Sequence, residues 1–219
     1  VQAETTRCGG KEHREIRFIY DERDVAVAQI APDILSWLES QVLQGARFQP
    51  GESIQIGWMY DEFFARPDGT LGIVEPDFET VPVAWVDSLT LTLRHLWYQK
   101  EVAASLGLEP DFPSYRQSAV VCTELRNAAT VFMHREAQAG WDSGWFIGCN
   151  AENHDHQDPS QLTRVSLFEA AVTWNARLIQ YVALPEGCYV DEAEGGLRIA
   201  RGKEWLSFAP GSYLATRAR

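Results

Sequence analysis

His154-Asp155-His156 with Asp158 forms the densest group of metal-ligating side chains in the sequence. Two imidazoles and two carboxylates this close together are donors that zinc or manganese accepts. On an extended segment, successive side chains point to opposite sides. Only His154 and His156 would then share a face, and a third ligand must come from elsewhere. With a metal, the group would suit a metal-dependent hydrolase; without one it is a solvated loop. Cys122 or Cys149 with His134 or His95 could form a thiol–imidazole pair. Both cysteines end apolar runs, which points to buried, unreactive thiols. A third group gathers Asp61, Glu62, Asp68, Glu75 and Asp77 among Tyr60, Phe63, Phe64 and Phe78. Two carboxylates can act as acid and base. The same acids can steer a protein partner toward aromatic anchors, or they can solvate a face whose aromatics are core. Gly140-Trp141-Asp142-Ser143-Gly144 is not the Gly-x-Ser-x-Gly elbow of hydrolases and reads as a chain reversal. There is no phosphate-cradling glycine loop and no dinucleotide fingerprint. Only three lysines are present, Lys11, Lys100 and Lys203. No cofactor is expected.

The elements that must position these groups follow from periodicity and punctuation. Residues 1–15 are polar and read as a loose terminus. Ile16 to Tyr20 reads as a strand. Asp33, just after Pro32, is expected to cap a helix carrying Ile34, Leu35, Leu38, Val42 and Leu43. A strand through Ile54, Ile56 and Trp58 follows the Pro50-Gly51 turn, and Pro67-Asp68-Gly69 turns the chain into Leu71 to Val74. Residues 76–84 read as a loop. Ser88 is expected to cap the strongest helix, which runs to Gly107. Residues 107–117 fit no regular element and place a boundary near residue 113. Beyond it, strands are expected at Ser118 to Thr123, Thr130 to Arg135 and Trp145 to Cys149. Val165 to Val172 reads as extended, Asn175 as the cap of a short helix, and three short strands follow. The expected class is α+β, with antiparallel sheets and a few packed helices in two subdomains. The division is a terminus at 1–15, an acidic companion at 16–113 and a second domain at 114–219.

Composition narrows the function. The chain has 219 residues, 45% hydrophobic and 23% charged, which fits a folded soluble protein. No apolar run approaches the length of a membrane span, and no secretory signal is expected. The first residue is Val, which would fit a trimmed start. Net charge is -12, and residues 1–113 hold 19 acids against 9 bases. Such a chain repels phosphate backbones, so nucleic acid is not an expected partner. It would draw in a basic protein. The four cysteines contain no Cys-x-x-Cys pair, which argues against a zinc ribbon or a disulfide scaffold and for a reducing cytoplasm.

One stretch resembles a known family. Ser118-Ala119-Val120-Val121-Cys122 opens a strand, and Met133-His134-Arg135-Glu136 follows across a turn. Asp142-Ser143-Gly144-Trp145 then leads an aromatic strand, with Asn153-His154-Asp155-His156 in the loop after it. Over about residues 117–190 this order resembles the bacterial domains that include immunity protein 33. The resemblance implies an immunity protein of a polymorphic toxin system, an antitoxin. It would neutralise a cognate toxin, such as a type VI secretion effector, by non-catalytic occlusion. It carries no catalytic residues. Arg135, Glu136, Asp142, Ser143, Gly144 and Trp145 would hold the loop and the core, with Arg135 and Glu136 as an ion pair. Asp61, Glu62, Asp68, Glu75 and Asp77 are then the expected contacts to the toxin. A metal-dependent hydrolase at His154 and His156, or a general interaction module, are the alternatives.

Overall fold

In the computed structural model of this chain, residues 1–151, 154–193 and 195–217 are described. The chain divides into two units, Val1–Trp97 and Tyr98–Arg219.

The first unit contains β1 (Gln2–Glu4), β2 (Ile16–Ile19), α1 (Val25–Leu43), β3 (Ser53–Ile56), β4 (Met59–Ala65), β5 (Leu71–Asp77) and β6 (Ala84–Val86). Its sheet runs β1-β2-β5-β4-β3, with β6 also paired to β5. The β2–β5 pair is parallel and the others are antiparallel. Residues 1–15 are not loose. β1 pairs with β2, Cys8 is fully buried, and the α1 residue Glu39 accepts hydrogen bonds from Thr6 N at 2.6 Å and Arg7 Nε at 2.8 Å. The cap of α1 is Asp24, not Asp33: its carboxylate accepts from the amides of Ala26 and Val27. Pro32 lies inside the helix. The buried stripe Val27, Ile30, Ile34, Leu38 and Val42 belongs to the same core as Phe18, Ile54, Ile56, Phe63, Leu71 and Ile73.

α2 (Thr90–Ser105) begins in this unit, and the division between units falls within it. Ser88 Oγ accepts from Thr90 N at 2.9 Å, and the left-handed Gly107 (φ 67°) follows the helix. The boundary therefore precedes the irregular segment near residue 113. That segment belongs to the second unit, where Asp111 N donates to Ala183 O at 2.8 Å.

The second unit adds β7 (Ser118–Cys122), β8 (Val131–Arg135), β9 (Asp142–Cys149), β10 (Leu162–Ser166), β11 (Cys188–Ala193), β12 (Gly196–Arg201), β13 (Glu204–Trp205) and α3 (Tyr213–Arg217). The sheet runs β10-β7-β9-β8-β11-β12-β13. β7 and β9 are parallel, and the remaining pairs are antiparallel. The extended reading of Val165 to Val172 holds only to Ser166. There the Ser166 hydroxyl accepts from Glu169 N, and Phe168–Trp174 coil into a π-helical turn. Asn175 caps the short 3-10 helix Ala176–Gln180. The protein is α+β, and each sheet is mixed, with one parallel pair, rather than wholly antiparallel. Among the described residues no helix is long and apolar enough to cross a membrane.

Candidate functional site

The five acids expected to meet a partner occupy different environments. On β4 the residues Met59, Asp61 and Phe63 alternate inward, so Asp61 is fully buried. Its Oδ1 accepts from Thr92 Oγ1 at 2.8 Å, and Oδ2 has no hydrogen-bond partner among the described residues. Burial, with Glu75 nearby, pushes the Asp61 carboxyl well above the usual carboxylate range. Glu75 is also buried, and accepts from the amides of Leu91 at 3.1 Å and Thr92 at 2.7 Å. It therefore serves the orphan amides at the start of α2. Neither residue can touch a partner. Asp68 is exposed but engaged by the Thr70 hydroxyl and amide and by Arg17, which hold it down to about 2. Asp77 is half-buried and accepts from Glu79 N. Glu62 is half-buried on the outer face of β4.

The residues of the second-unit motif converge on one structural knot. Arg135, at the end of β8, is 1% exposed. Its guanidinium donates to Asp111 O at 2.6 Å, Leu184 O at 2.5 Å and Val182 O at 3.3 Å, and pairs with the Asp111 carboxylate at 3.2 Å. The Arg135–Glu136 ion pair is thus corrected: Arg135 is buried and pairs with Asp111, while Glu136, the residue after β8, is exposed. Burial lowers the guanidinium pKa. Trp145 stacks beside it, 5.7 Å from ring centre to guanidinium carbon, and donates from Nε1 to Val182 O at 2.9 Å. Asp142 accepts from Gly144 N and pairs with Arg164, and the Ser143 hydroxyl donates to Ser118 O. Gly144 has φ 77°, and a Cβ there would sit 2.2 Å from Glu136 O. Only glycine fits this reversal.

The outer face of the same sheet carries an aromatic shelf. Phe132 on β8 stacks between Phe146 on β9 at 5.8 Å and Tyr189 on β11 at 6.0 Å, and Tyr189 meets Trp205 on β13 at 6.2 Å. All are partly exposed, Trp205 at 55%. A hollow of about 430 Å³ is lined by Phe132, His134, Phe146, Gly187, Tyr189 and Gly202.

At the far end of β9 a second group assembles. Cys122 and Cys149 end the parallel neighbours β7 and β9, and Cys149 N donates to Cys122 Sγ at 3.2 Å. His154 and His156 fold back over them, their rings 4.6 Å apart. One donor atom from each of the four residues lies within 4.8 Å of the other three. His156 Nε2 is 3.8 Å from Cys149 Sγ. Burial raises the Cys122 thiol to about 11 and lowers the His156 pKa. Neither of the two histidines weighed as thiol partners joins this group, and both cysteines are buried. His95 belongs to the first unit, where it accepts from Trp58 Nε1, and His134 is exposed on the shelf side. Asn153 lies outside the described residues.

The strand order, the reversal at Gly144 and the Arg135 knot place the resemblance in a single folded unit. Residues 98–197 match the Imm33-like domain. No curated protein and no solved structure matches the chain significantly. The Imm33-like match begins at the residue where the second unit begins, Tyr98, earlier than the sequence motifs placed it. It takes in the Arg135 knot, the four Cys and His residues and the shelf as far as Tyr189. Sequence reasoning missed the shelf, although Phe132, Phe146 and Tyr189 each alternate with buried neighbours along their strands.

Proposed function

We propose that this chain is an immunity protein that binds a cognate bacterial toxin in the cytoplasm and occludes it without catalysis. The observation that carries the reading is the Imm33-like match over residues 98–197. The contact surface that fits it best is the aromatic shelf. Half-exposed aromatics held rigid by sheet stacking make interface anchors at little entropic cost. The expected acidic contacts are replaced in part: Asp61 and Glu75 hold the fold, and charge acts as long-range steering toward a basic partner.

The test is capture of a partner from lysate of the source cell, expression of that partner alone, and then co-expression with this chain. Growth arrest by the partner, relieved by co-expression, is the expected result. A stable captured protein that is harmless alone sinks the antitoxin reading and leaves a general interaction module. Tyr189→Ala with Trp205→Ala should weaken binding by roughly 2 kcal/mol or more, as for central aromatic anchors, without lowering stability by as much. Unchanged affinity would move the contact surface off the shelf.

A further inference from the structure

We propose that Cys122, Cys149, His154 and His156 form a closed four-ligand site for a thiophilic divalent cation, zinc foremost. Two sulfurs and two imidazole nitrogens are a donor set zinc favours in structural sites, and without a carboxylate in the set, hard ions such as calcium or magnesium are poorly served. The four donor atoms lie within 4.8 Å of one another. A tetrahedral zinc with bonds of about 2.0–2.3 Å needs donor separations of about 3.3–3.8 Å. The group is therefore within about 1 Å of a complete coordination shell, a closure that side-chain rotation can supply.

Three further features converge on the same point. The Cys149 amide donates to Cys122 Sγ, a hydrogen bond that strengthens when the sulfur is a thiolate. Among the described residues His154 Nε2 is buried with no hydrogen-bond partner, a costly arrangement for an imidazole that nothing coordinates. Gly148 keeps open the space His156 uses: a Cβ there would lie 2.9 Å from His156 Nε2 and 2.5 Å from the Phe132 ring.

Four protein ligands leave zinc no open position for water. The site would act as a tie, pinning the loop after β9 to the ends of β7 and β9. Bound zinc would then be no sign of hydrolysis, and the proposal stands or falls apart from the toxin reading.

The test uses the full chain, purified under reducing conditions without a polyhistidine tag, stripped with chelator and reconstituted with zinc alone. Elemental analysis should find one zinc per chain, and stripping should lower the melting temperature. Cobalt(II) in its place should show the absorption of a tetrahedral ion with thiolate-to-metal charge transfer. Cys149→Ser and the pair His154→Asn with His156→Asn should lose the metal, whereas Cys8→Ser and Cys188→Ser should keep it. The histidine pair sits on a loop and serves if the cysteine variant fails to fold. Substoichiometric zinc in the reconstituted wild type overturns the proposal, as does full retention by the histidine pair.

Discussion

Arg135 shows how a charged side chain can be buried and still be engaged. Its guanidinium donates to three backbone carbonyls from two segments that have no regular structure of their own, and it pairs with Asp111. Replacing it with Met should cost about 3–5 kcal/mol, because carbonyls and carboxylate lose their donor together. Lysine should recover little, since one ammonium cannot reproduce the fork. Urea denaturation reads both. Asp61 is the opposite case, an acid whose charge the fold resists. Its folded-state pKa lies above the unfolded value, so the native state binds the extra proton. Stability should therefore fall as pH rises from about 4 toward the folded pKa. Asp61→Asn keeps an acceptor for Thr92 and carries no charge. It should flatten that dependence and leave the urea midpoint at pH 7 no lower than wild type. A steeper loss in the variant would mean that the carboxylate charge stabilises the native state.

At the scale of elements, α2 depends on a residue that precedes it by a whole connection. Glu75 on β5 accepts from the amides of Leu91 and Thr92. Glu75→Ala should destabilise the protein by about 1–2 kcal/mol, as loss of a helix cap does, and Glu75→Gln by less. Thermal melts of the two variants separate capping from charge. Such long-range dependence explains which elements the sequence discloses. Strands with clean alternation, such as Ser118–Cys122 and Val131–Arg135, and the helix behind Ser88 are legible locally. β4 is not, because Asp61 occupies an inward position where the pattern calls for an apolar residue, so the segment reads as an acidic surface. The start of α1 is displaced because Pro32-Asp33 imitates a helix N-terminus within a helix already capped by Asp24. The Cys–His group is half legible: His154 and His156 stand out by spacing. Their cysteine neighbours do not, since only the parallel pairing of β7 with β9 brings Cys122 beside Cys149.

At the scale of the molecule, net charge and fold boundaries make separate statements. With 31 acids against 19 bases, the chain should associate with a basic partner faster at low salt. Raising ionic strength from about 0.01 to 0.15 M should slow the association rate severalfold with little change in dissociation; stopped-flow mixing with the captured partner would measure both. A salt-independent association rate would remove steering from the account. The limits of the family match carry a different message. The match ends at residue 197, just inside β12, yet β12 continues to Arg201 and pairs along the whole of β11. Past it, Ala209 N and Leu214 N reach back to Ser105 at the end of α2. A chain stopped where the recognisable pattern stops would leave Cys188–Asp191 without its β12 partners, an edge onto which another copy could add a strand. The stretch that carries the recognisable pattern is thus shorter than the stretch that completes the sheet beside β11.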